Sequence, residues 1–135
     1  MTRQWGADEG SGSGLRAGEV WLILAHPRPN TLLIGSPRAL ARVLEALRGK
    51  LVRPIVEHDC AQGFCLPAEA GTLVLRNVHL LDETGQHALN HWLAGPGRTV
   101  QVITVLTAAL FPFVERGRFF EDLYYRLNTL LLSIE

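Results

Sequence analysis

Short apolar runs alternate along this chain with segments whose apolar residues recur at helical spacing. Thr31–Ile34, Val52–Val56, Thr72–Val78, Val100–Leu106 and Thr129–Ile134 read as strands, with Pro54 an awkward residue for the interior of the second. Leu40, Val43, Leu44 and Leu47 form one face of a helix that Pro37 opens and Gly49 stops. Ala88, Leu89, Trp92 and Leu93 form the face of another, capped by Asp82 or Glu83 and ended by Gly95-Pro96-Gly97. An aromatic segment then leads into a helix over Glu121–Leu127. Strands that are apolar along most of their length are buried on both faces, and strands alternating with helices pair in parallel. The pattern specifies an α/β sandwich of three layers around a parallel sheet of about five strands.

The chain of 135 residues is 47% hydrophobic and 19% charged, which fits one small globular domain and excludes a disordered one. Thirteen basic residues balance thirteen acidic ones, and Lys50 is the only lysine, so bulk charge gives no nucleic-acid surface. Two cysteines, Cys60 and Cys65, are too few for a disulfide framework, and no export signal precedes them. The polar, Gly- and Ser-rich start reads as a flexible tail over residues 1–18, followed by one domain over 19–135. Glu19–His26 is either a short helix or a buried strand, and periodicity does not choose between them. The apolar run Val20–Ala25 is far shorter than the roughly 20 residues a bilayer requires. A cytoplasmic protein is the expectation.

The segment Gly117-Arg118-Phe119-Phe120-Glu121-Asp122-Leu123-Tyr124-Tyr125-Arg126-Leu127-Asn128 resembles the GRFREDLYYRLN signature of the AAA+ domain in bacterial sigma-54-dependent transcription activators. Gly71-Thr72-Leu73-Val74-Leu75 is similar to the GTLFL run that opens that family's Walker B strand. Gln86, Leu89 and Leu93 match the Q, L and L of the helix after it, and Val100-Gln101-Val102-Ile103 is similar to the VRVI of its sensor strand. The resemblance implies an AAA+, P-loop-NTPase-like sandwich over roughly Thr31–Glu135, shortened and without the family's lid domain. It also implies where a nucleotide site would lie.

At that site the chain departs from the family. A P-loop holds phosphate with glycine-exposed amides, a helix N-terminus and a lysine. The matching turn, Gly35-Ser36-Pro37-Arg38, is several residues too short, has one glycine and no lysine; Arg38 is either a phosphate contact or a solvated first-turn residue. The two Walker B carboxylates are replaced by Arg76 and Asn77, a cation that repels magnesium and an amide that cannot act as a general base. Thr107 stands at the sensor asparagine. Of the two signature arginines that in the family reach a neighbouring subunit's ATP, the first is Phe120 and the second is retained as Arg126. Arg126 is therefore an arginine finger acting on a partner, or the partner of Glu121 or Asp122 in an ion pair on its own helix.

Only ten residues, Ala61–Ala70, separate Cys60 from Gly71, too few for the helix and GAFTGA loop with which the family contacts sigma factor. The resemblance thus implies a degenerate module, without ATPase activity, that acts through its Phe119–Arg126 edge on an intact AAA+ activator or on itself. Direct DNA binding and membrane association are not expected. No cofactor is expected either, ATP and magnesium being the ones the family's site would hold. The alternatives are a residual ATP or ADP binder without turnover, using Gly35 and Arg76, and a remnant with no selected activity. His87 and His91 lie at i, i+4, a metal-ligand spacing, but on a polar face with no third ligand. His58-Asp59-Cys60 places its neighbours on opposite faces of a strand, which argues against a Cys/His nucleophile pair. Phe119, Phe120, Tyr124 and Tyr125 read as core and subunit-edge packing.

Overall fold

The computed structural model describes residues 17–63 and 66–134. The expected tail lies almost wholly outside these residues, as does Cys65. Five strands form the sheet: β1 (Thr31–Ile34), β2 (Ile55–Asp59), β3 (Thr72–Arg76), β4 (Gln101–Leu106) and β5 (Leu130–Ser133). They are ordered β2-β3-β4-β1-β5, and every neighbouring pair is parallel. Among the described residues, five α-helices accompany them: α1 (Ala17–Leu24), α2 (Pro37–Arg48), α3 (Glu83–Ala94), α4 (Phe111–Glu115) and α5 (Glu121–Leu127). The segment Glu19–His26, ambiguous in sequence, is thus largely helical.

Because successive strand residues point to opposite faces, the sheet divides the core in two. Leu33, Val74, Ile103 and Val105 pack with Ile23 of α1 and with Leu40, Val43, Leu44 and Leu47 of α2. Leu32, Leu73, Leu75 and Val102 face the other way, onto Leu89 and Trp92 of α3 and Leu123 and Leu127 of α5. A leucine buried this completely contributes roughly 1.5–3 kcal/mol. The all-buried pattern of β4 is that of a central parallel strand. Gln101, also buried, binds α1 to the sheet: its Nε2 donates to Ile23 O and to Pro29 O, both at 2.8 Å.

Three local expectations shift. The second strand starts at Ile55 instead of Val52, because Pro54 has no N–H to place in a ladder; its carbonyl instead accepts the amides of Gly71 and Thr72. The third strand stops at Arg76, because Asn77 turns into the left-handed region at φ 58°. On α3 the buried face is Gly85, Gln86, Leu89, Trp92 and Leu93, and Ala88 is exposed. The aromatic segment carries a helix of its own, α4. Among the described residues, no helix is long and apolar enough to cross a membrane.

Candidate functional site

In an open α/β sheet, ligands bind beyond the carboxyl ends of strands, where the connections of two neighbouring strands leave toward opposite faces. Here that point lies between β1, whose chain continues into α2 on one face, and β4, whose chain continues into α4 and α5 on the other. Gly35, Ser36 and Arg38 follow β1, Thr107 follows β4, and Arg76 and Asn77 end β3. All six sequence-assigned positions therefore lie along the same edge of three adjacent strands.

The start of α2 satisfies itself. Ser36 is its N-cap, with an extended backbone, and its Oγ accepts the amide of Ala39 at 3.1 Å. The amide of Leu40 goes to Ser36 O, and Pro37 at the first helical position has no N–H. Of the amides that a helix N-terminus offers an anion, that of Arg38 remains. The Arg38 side chain is exposed and makes no ion pair among the described residues. Gly35 is closed over by the chain after β5: a Cβ on it would lie 2.6 Å from Ile134 O, and the Ile134 amide donates to Ile34 O at 2.7 Å.

Arg76 and Asn77 are also engaged within the chain. Arg76 approaches Glu57 of β2 at 3.7 Å, and the same carboxylate takes Arg48 from the end of α2. Glu57 is paired in register with Val74, and residues two apart on a strand share a face, which puts Arg76 on the α2 side with it. Asn77 Nδ2 donates to Asp59 Oδ1 at 2.8 Å, and that oxygen also accepts the Ala61 amide. These two hydrogen bonds, the first foremost, hold the Asp59 carboxyl below its ordinary 3.8, helped by the charges of Arg76 and His58. Sequence reasoning singled out neither Glu57 nor Asp59 as site partners. Their i, i+2 spacing on β2 is the available signal, readable once β2 is known to adjoin β3.

The cavities at this edge divide the assigned residues. A polar groove of about 380 Å³ is lined by Glu57, His58, Asp59, Gln62 and Arg76. A smaller one of about 70 Å³ holds Thr107 with His79, Leu106 and Phe113. His79 Nδ1 is buried there without a hydrogen-bond partner. Gly35, Ser36 and Arg38 line neither.

The other edge residues sort by burial. Phe119 and Tyr124 are core, while Tyr125 is 55% exposed. Phe120 packs against His87 of α3, with ring centroids 4.6 Å apart and the rings tilted by 45°. Buried Gln86 fixes this segment: its Oε1 accepts the Phe120 amide at 2.8 Å, and its Nε2 donates to Arg118 O and Leu81 O. Arg126 is exposed, and the ion pair with Glu121 or Asp122 does not form; Asp122 accepts Asn90 Nδ2 instead. His87 and His91 are both exposed on α3. Among the described residues no group of three His, Cys, Asp or Glu side chains could hold a metal ion. Cys60 is buried, which pushes its thiol up to about 12, with the Asp59 charge adding to the shift.

No family model matches the chain, and no curated protein sequence matches it. Solved structures do match. NtrX from Brucella abortus in complex with ADP superposes with a TM-score of 0.64 at 19% identity, over 78% of this chain and 32% of that one. The P-loop NTPase domain of a sigma-54 activator from E. coli gives 0.56 at 19% identity, over 77% of this chain and 82% of that domain. The chain thus spans about a third of the NtrX chain. Its fold, an α/β sandwich around a parallel five-stranded sheet, is similar to that of this P-loop NTPase domain.

Proposed function

We propose that this chain is a degenerate sigma-54-interaction-type AAA+ module. It neither hydrolyses ATP nor remodels polymerase, and it regulates or assembles with an intact AAA+ activator through the edge that carries Arg126. The observation that carries the reading is a contrast between two ends of the molecule. Ser36 caps the helix start that would receive phosphate, and Glu57 pairs with the cation at the metal-ligand position. Arg126, by comparison, is exposed without an ion pair among the described residues, on a helix whose start Gln86 fixes. A guanidinium held this way is available to an anionic group on a neighbour, such as the phosphates of a nucleotide bound there.

The test is the ATPase rate of a purified, intact sigma-54-type activator titrated with this protein, beside its Arg126→Ala variant. A change of severalfold that the variant loses supports the reading. An unchanged rate, with no co-elution of the two proteins, removes its basis.

The rival reading, residual ATP or ADP binding without turnover, draws support from the fold shared with an ADP-bound neighbour. The capped helix start and the engaged Arg76 weigh against it.

A further inference from the structure

The edge of the sheet opposite the candidate site, where the strands begin, gathers cations that the chain's zero net charge hides. The connection entering β1 carries Arg28, that entering β2 carries Lys50 and Arg53, and that entering β4 carries Arg98. Helices α2 and α5 end toward the same edge with Arg48 and Arg126, and Arg126 O accepts Asn30 Nδ2 at 3.0 Å just before β1. Glu69, before β3, and Glu19 of α1 are the acidic residues among these connections and α1. Asp59 ends β2, and Asp82, Glu83, Glu121 and Asp122 open helices, at the other edge.

Apolar side chains reach solvent among these cations. Trp21 and Leu22 of α1 are 67% and 46% exposed, and Val52 is 45% exposed. They adjoin Ile23 and Leu51 in the chain, which are buried in one core cluster. Gln101, at the start of β4, holds α1 to this edge by donating to Ile23 O and Pro29 O. Arg28 Nη1 donates to Lys50 O at 3.0 Å, which joins the chain after α1 to the chain after α2. Lys50, Arg53 and Arg98 are exposed and form no ion pair among the described residues.

The mixture of groups selects the partner. A nucleic-acid backbone would engage the cations, but it offers Leu22 and Val52 nothing to bury against. An anionic bilayer takes all of them: cations at lipid phosphates, Trp at the headgroup level, and aliphatic side chains against the acyl chains. We infer that this edge docks on an anionic lipid surface. Trp21, Leu22 and Val52 enter the interface, while Arg28, Lys50, Arg53 and Arg98 lie against its phosphates. The attachment is peripheral, and it is reversible because few apolar side chains insert. Salt weakens it by screening the cations. The inference does not rest on the role proposed for Arg126, which an activator's ATPase rate reads and lipid vesicles do not.

Sedimentation of the full chain with phosphatidylcholine vesicles, with and without phosphatidylglycerol, tests it. The protein should bind the anionic vesicles and leave the neutral ones, and high salt should release it. Trp21→Ser should lower the affinity about tenfold or more, through the apolar area it no longer buries. Lys50→Gln should lower it about fivefold, the weight of one cation near the surface. Arg116→Gln removes the same charge beyond α4, at the opposite edge, and should change it by less than about twofold. All three residues are exposed, and a thermal melt of each variant verifies the fold. Failure to bind anionic vesicles overturns the inference, as does equal binding to neutral ones. So do folded Trp21→Ser and Lys50→Gln variants that bind like the wild type. A mixed-sequence RNA bound more tightly than the anionic vesicles would assign the edge to nucleic acid and overturn it too.

Discussion

Ser36 Oγ accepts the amide of Ala39 at 3.1 Å, so the chain fills with its own side chain a position that an anion would otherwise occupy at the start of α2. A cap of this kind is worth about 1 kcal/mol. Ser36→Ala should therefore lower the unfolding free energy by about that amount in a urea titration. It should do so without creating nucleotide affinity, because Pro37 and Ile134 still limit access to the turn.

The bond from Asn77 to Asp59 makes a prediction about pH. Asp59 is held below its ordinary 3.8, chiefly by Asn77. It therefore stabilises the fold above that ordinary value, and this contribution is lost as pH falls through the lower folded value. Asn77→Ala removes the donor and also puts alanine in the left-handed conformation that Asn77 tolerates better. NMR titration should show the Asp59 carboxyl moving up toward 3.8 in the variant. An unmoved midpoint would mean that Ala61 and the nearby charges hold it down alone.

Much of this architecture was legible before the structure. The boundaries of α5 and the stop at Gly49 emerged as read, and of the two caps left open, Asp82 and Glu83, the structure takes Asp82; each depends on local chemistry: a cap, a glycine or an apolar period. The parallel sheet followed from strands apolar on both sides. Contacts set by distant segments were hidden. Arg76 reads as an isolated cation until β2 is known to lie beside β3, which brings Glu57 to it. The closure of Ile134 over Gly35 depends on where β5 enters the sheet. Helical spacing also misplaced Ala88, because the core needs a narrow face of α3 and fills it with Gly85 and Gln86.

Gln86 joins three backbone groups: Leu81 O, Arg118 O and the Phe120 N–H. Gln86→Leu keeps the volume and strands all three, at roughly 1–3 kcal/mol for each group left buried without a partner. Hydrogen exchange should show the Phe120 amide losing protection first, and the start of α5 with it. If global stability falls while protection at Phe120 keeps pace with the rest of the core, Gln86 is not what fixes this edge.

Burial and the charge of Asp59 leave the Cys60 thiol protonated at neutral pH, since its value is pushed up to about 12. A thiol is nucleophilic only as thiolate. In a Cys65→Ser background, Cys60 should resist a disulfide reagent in the native protein at pH 8 and react at once in denaturant. Rapid native labelling would restore His58-Asp59-Cys60 as a reactive group.

The central claim is that this P-loop-type fold has exchanged its nucleotide contacts for contacts of its own. Calorimetric titration of the full chain with ATP and with ADP, with and without magnesium, tests it most directly. The account predicts no saturable binding up to about 1 mM, an affinity of only about 4 kcal/mol. A micromolar dissociation constant that magnesium strengthens would contradict it.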